Sequence, residues 1–98
     1  MKPEQIVDTL EQAAAQLGVR VRYETMTGEV AGSGGLCKVK GEWWVIMDRK
    51  APPADRAATL TESLAQLDTD GVFLPPEVRD ALTAVRAGRL AASPPAAP

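Results

Sequence analysis

Leu36-Cys37-Lys38-Val39-Lys40-Gly41-Glu42-Trp43-Trp44-Val45-Ile46-Met47-Asp48 is the stretch on which the fold turns. Two β-prone runs, Leu36 to Lys40 and Glu42 to Asp48, meet at Lys40-Gly41, where Gly41 supplies the positive φ that a tight hairpin needs. They predict an antiparallel pair. The second run is apolar on both faces, as in a central strand or one covered by a helix. A period of two sends Trp43 and Trp44 to opposite faces, so one core layer cannot take both, and an exposed one would be a candidate interface anchor.

Upstream, Pro3 to Leu17 carries Ile6, Leu10, Ala13 or Ala14, and Leu17 at helical spacing. Pro3 suits a first turn, Glu4 and Asp8 complement the helix dipole, and Gly18 supplies a left-handed stop. From Val19 the period changes to two, with Val21 and Tyr23 alternating with Arg20, Arg22 and Glu24, as in a half-buried strand. Met26 to Gly35 holds four glycines and reads as an exposed loop.

Downstream, Pro52-Pro53 breaks the chain before a helix that displays Ala57, Leu60, Leu64 and Leu67 and ends near Asp68. Asp68-Thr69-Asp70-Gly71 is a turn, and Phe73 in the short apolar segment Val72-Phe73-Leu74 is expected to plug the core between helices. Pro75-Pro76 initiates a third helix with Val78, Leu82 and Val85 inward and Gly88 at its end. The whole predicts an α+β fold of order α-β-β-β-α-α, with three helices and a three-stranded antiparallel or mixed sheet whose first strand has either neighbour open to it. Residues 1–90 are expected to form one domain and residues 91–98 a flexible Pro/Ala tail.

Composition bounds the chemistry. A chain of 98 residues buries one core, and 45% hydrophobic with 24% charged residues is ordinary for a globular domain. The net charge of −2 argues against a dedicated nucleic-acid or anionic-membrane binder. A lone Cys37 makes no internal disulfide, and neither a leader nor an apolar run of membrane-spanning length is seen, so a cytoplasmic protein without a membrane partner is expected. Abundant Ala, Arg, Pro and Gly with no asparagine fits a bacterial genome rich in GC.

Without histidine the chain offers no Ser-His-Asp or Cys-His arrangement and no imidazole ligand for zinc, and one cysteine builds no thiolate site. Ser33, Ser63 and Ser93 fall in no lysine-spaced motif. Gly32-Ser33-Gly34-Gly35 is followed by a strand rather than a helix and lacks Gly-Lys-Ser/Thr, which argues for a connection and against a phosphate loop. Asp68, Asp70 and Gly71 lack the further acids of a calcium loop. No enzyme, cofactor or metal is expected. Two surface candidates are left: the tryptophans, and a basic sheet face gathering Arg20, Arg22, Lys38 and Lys40, with Arg49 and Lys50 nearby, that could hold phosphates or an acidic partner.

The order of helix, strand, glycine-containing loop and hairpin ending in Trp44-Val45-Ile46-Met47-Asp48, followed by the helix Thr59-Leu60-Thr61-Glu62-Ser63-Leu64-Ala65, resembles the N-terminal core of ImmA/IrrE-type zinc peptidases. In that family this helix carries His-Glu-x-x-His; here Glu62 matches the glutamate, while Thr61 and Ala65 stand at the histidine positions. The resemblance therefore implies a metal-free scaffold kept for binding. Gly35 to Arg49 and Val72 to Arg79 also resemble small bacterial proteins that bring no function with them. The sequence thus predicts a non-catalytic protein-interaction or regulatory module, with a homodimer joined through sheet edges or a tryptophan face as one form of that contact. Nucleic-acid binding through the basic face and residual catalysis by Glu62 are the alternatives.

Overall fold

The computed structural model describes residues 1–25 and 34–92. Its hairpin turns where expected: β2 (Gly34–Val39) and β3 (Glu42–Asp48) are antiparallel, with Val39 opposite Glu42 across Lys40-Gly41. Lys40 has φ 50° and Gly41 φ 81°, the pair of positive values that a type I′ turn requires and that matches strand twist. Gly34 and Gly35, expected in the loop, belong to β2, because pairing with Met47 and Ile46 gives their backbone ladder partners. The rest of the expected loop, residues 26–33, lies outside the described residues.

β1 (Arg20–Glu24) takes the other side of β3 and runs parallel to it, from Arg20 opposite Trp44 to Glu24 opposite Asp48. The sheet is therefore mixed, with order β1-β3-β2 and β3 at its centre. Val45 and Met47 are fully buried beneath the helices, while Trp44 and Ile46 are only half-buried.

α1 (Pro3–Gln16) buries Val7, Leu10, Ala13 and Ala14; Ile6 and Leu17, expected inward, sit half-buried at the margins of this stripe. Gly18, at φ 77°, turns the chain, and the Val19 amide donates to the Ala14 carbonyl at 2.8 Å. α2 (Pro53–Leu64) is buried around much of its circumference, through Ala57, Thr59, Leu60, Thr61, Ser63 and Leu64, because it is wedged between α1, α3 and the sheet. α3 (Pro76–Ala92) packs Val78 and Leu82 on α1 and α2 and touches no strand among the described residues. No helix among the described residues is long and apolar enough to cross a membrane.

Three expectations need correction. α2 ends at Leu64, before Asp68, and the following turns are held by Arg86 of α3. Its Nε donates to the Ala65 carbonyl at 3.0 Å, and its Nη2 donates to the Leu67 carbonyl at 2.8 Å and to Thr69 Oγ1 at 3.0 Å. A helix end leaves carbonyls without intrahelical partners, and one guanidinium here answers for that region. α3 runs through Gly88 to Ala92, since good helix formers flank the glycine and outweigh its roughly 1 kcal/mol penalty. Ala91 and Ala92 are thus helical, and residues 93–98 of the expected tail lie outside the described residues. Phe73 does not plug the core: it is 83% exposed, while Val72 and Leu74 on either side are buried. The Val72 amide closes a turn on the Thr69 carbonyl at 3.1 Å, and with Val72 and Leu74 turned inward Phe73 is left facing solvent.

Arg86→Ala is expected to destabilise the fold by about 2 kcal/mol in chemical denaturation, whereas Phe73→Ser stays within about 0.5 kcal/mol of the parent. Equal costs would contradict this assignment of roles. Lys40→Gly relieves an L-residue from the left-handed region and should raise the melting temperature by a few degrees, on the order of 1 kcal/mol; a fall would show that Lys40 is held there by more than the turn.

Candidate functional site

The sheet has one face under helices and one without. Strand alternation and register place Trp43, Val45 and Met47 with Val21, Tyr23 and Leu36 on the helical side. The same pairing puts Arg20, Arg22 and Glu24 of β1, Glu42, Trp44, Ile46 and Asp48 of β3, and Cys37 and Val39 of β2 on the opposite side. No helix among the described residues packs on that open face. Its centre is apolar, with Trp44, Ile46 and Cys37 half-buried and Val39 46% exposed.

Charge rims this centre. Arg20 Nε lies 3.4 Å from Glu42 Oε2, and Arg22 Nε lies 3.2 Å from Glu24 Oε1. Both pairs are largely solvated and hold little energy, so they are readily exchanged for other partners. The Arg20 guanidinium also sits 5.4 Å from the Trp44 ring centre.

The two tryptophans do face opposite ways. Trp43 packs on the core side with Lys38 Nζ 5.2 Å from its ring, and neither tryptophan is fully exposed. The four basic residues do not converge. Arg20 and Arg22 share the open face at the β1 edge, Lys38 points to the helical side at the β2 edge, and Lys40 lies in the turn. Arg49 and Lys50 are exposed beyond the end of β3.

Glu62 is exposed on α2, whereas Thr61 and Ala65 are 8% and 7% exposed and face the interior. Thr61 Oγ1 donates to the Ala57 carbonyl at 2.7 Å, so its hydroxyl is spent on its own helix. These two positions and Glu62 thus face opposite ways, and the described residues contain no cluster of three metal-ligating side chains. Ser63 is buried, and Ser33 and Ser93 lie outside the described residues. Asp68 Oδ1 accepts from the Asp70 amide at 2.9 Å, the local bond of an ordinary Asx turn.

A second group was not anticipated. Tyr23, on the helical side of β1, donates its hydroxyl to Glu11 Oε2, and the Arg56 guanidinium stacks 4.8 Å from its ring centre. Arg56 Nη2 in turn donates to the Arg49 carbonyl at 2.6 Å, and its Nε is buried without a partner among the described residues. A shallow cavity of about 290 Å³ opens here between Glu4, Asp8 and Glu11 of α1 and Tyr23, Pro53 and Arg56. The legible signal was the acidic stripe Glu4, Asp8, Glu11 at helical spacing; nothing local in the sequence pairs it with Tyr23.

Comparison of the chain with family models, with curated proteins and with solved structures returned no match.

Burial, then the hydrogen bond and the negative charge of Glu11, push the Tyr23 phenol from 10.0 up to about 12, against the opposing pull of Arg56. It therefore remains a neutral donor rather than a base. Because the folded value lies above the unfolded one, stability linked to this phenol is fully present below about pH 10 and is lost as the pH rises through about 12. Tyr23 is the sole tyrosine, so an absorbance titration reads it alone. Glu11→Gln should move that midpoint downward, and an unmoved midpoint would sever the link between the two residues.

Proposed function

We propose that the chain is a non-catalytic protein-interaction module that works through the open face of its sheet. One observation carries this reading: the central strand presents Trp44 and Ile46, flanked by Cys37 and Val39, on a face where no described helix lies. An apolar centre with a rim of Arg20, Arg22, Glu24, Glu42 and Asp48 has the composition of a docking surface, where an aromatic anchor is desolvated and charges set orientation. The lack of histidine and the inward positions of Thr61 and Ala65 agree with a binding role, and the resemblance of the sequence pattern to ImmA/IrrE-type peptidases, with both histidine positions replaced, is read in the same sense. The lone Cys37 fits a cytoplasmic setting. Binding of nucleic-acid phosphates gains no support from the geometry, because the four basic residues are divided between the two faces and the turn.

The test separates the two tryptophans. Trp44→Ser should leave the melting temperature within a few degrees of the parent while abolishing retention of a partner from the chain's own lysate. Trp43→Ser should destabilise the fold, since that ring packs on the core. A partner held equally well by the Trp44 variant, or no partner at all, would defeat the reading.

A further inference from the structure

We infer that β1 is a homodimerisation edge, whose partner is β1 of a second copy running antiparallel to it. This goes beyond the open-face reading and does not depend on it, because edge pairing is made by the backbone of β1 and needs no contact with Trp44.

β1 is one of the two outer strands, and no strand lies beyond it among the described residues. Among those residues, the backbone groups of Arg20 to Tyr23 have no hydrogen-bond partner outside the β1–β3 ladder. An exposed edge of this kind is a template for another strand unless it is blocked. The space beside it is open: a cleft of about 710 Å³ runs along β1, lined from α1 by Glu11 and Ala15 and reaching Glu42 and Trp44 of β3 on the open face.

The occupant follows from charge complementarity. For the open faces of both copies to lie on the same side of a joined sheet, residues of like face must stand opposite each other across a two-fold axis. With Arg22 on the axis, Arg20 of each copy faces Glu24 of the other, and Val21 faces Tyr23 on the helical side. Arg20-Val21-Arg22-Tyr23-Glu24 is thus its own complement in the antiparallel sense, with an opposite-charge pair at each end and an apolar pair within. Arg22 meets its copy on the axis, where both side chains are largely exposed and solvent screens their repulsion. The intrachain bridges that would rearrange are the solvated ones, so exchange costs little. The other outer strand has no such property: β2 bears Lys38 without an acid to meet it, and lysine is a common guard of free edges. The product would be a six-stranded sheet of order β2-β3-β1-β1-β3-β2, with an open face twice as wide.

The experiment is a dilution series read by light scattering and sedimentation on the full chain and on charge-exchanged variants. The parent should dimerise, and Arg20→Glu and Glu24→Arg should each weaken the dimer by about tenfold or more, since each places like charges opposite twice. The double variant Arg20→Glu/Glu24→Arg should recover the dimer. That recovery cannot come from within one chain, because there the exchange sets a new carboxylate beside Glu42 and a new guanidinium beside Arg22. Circular dichroism of each variant checks that the fold is intact. A parent that stays monomeric at every concentration, or a dimer indifferent to the exchange, overturns the inference. A dimer lost on Trp44→Ser instead would also overturn it, while assigning self-association to the open face.

Discussion

Bonding along both sides of β3 is the constraint on which the other elements depend. With β1 on one side and β2 on the other, Trp44 to Met47 is paired along both edges, and the alternation of β3 assigns every neighbouring side chain to one of two faces. Val45 and Met47 go beneath the helices and Trp44 and Ile46 do not, so core and candidate surface are the two sides of one seven-residue strand. Moving its register by a single position would exchange them.

Beneath that strand the layers approach closely because the residues between them are small. Ala13 and Ala14 of α1 meet an α2 whose buried positions include Ala57, Thr59 and Ser63, and these leave room for Leu10, Leu60 and Leu64 at full burial. α3 then seals the bundle from the side away from the sheet. Its Arg86 reaches back to the turn after α2, joining a helix end to a helix flank with bonds that a lysine could not reproduce.

Much of this was legible in the sequence because it is local. The hairpin was written in Lys40-Gly41 and in the apolar runs on either side, and the first helix in its four-residue spacing and terminal Gly18. The opposite facing of Trp43 and Trp44 followed from strand period alone. What escaped was set by distant pairing. Whether Lys38 joins Arg20 and Arg22 depends on strand order and register, which no short window contains. The Tyr23–Glu11 bond and the Arg86 clamp are of the same nature, linking residues whose own neighbours give no hint of the contact. Phe73 misled for another reason: hydrophobicity argued for burial, but its two flanking residues claimed the inward direction first. Gly88 misled because a glycine near a helix end often stops it, and here helix-forming neighbours carried the turn onward.

The parallel contact between β1 and β3 also has a kinetic side. The hairpin joins residues across a two-residue turn, whereas Arg20 and Trp44 stand 24 positions apart in the chain. Loop-closure entropy falls on the second contact far more than on the first, so the hairpin is the early structure and β1, arriving with α1, the late one. Local opening should follow the reverse path, with amides of β1 exchanging with solvent before those shared by β2 and β3. The strand with the free edge is then also the strand most loosely bound in time, and any partner that pairs with it would be slowing the departure of the last element to arrive.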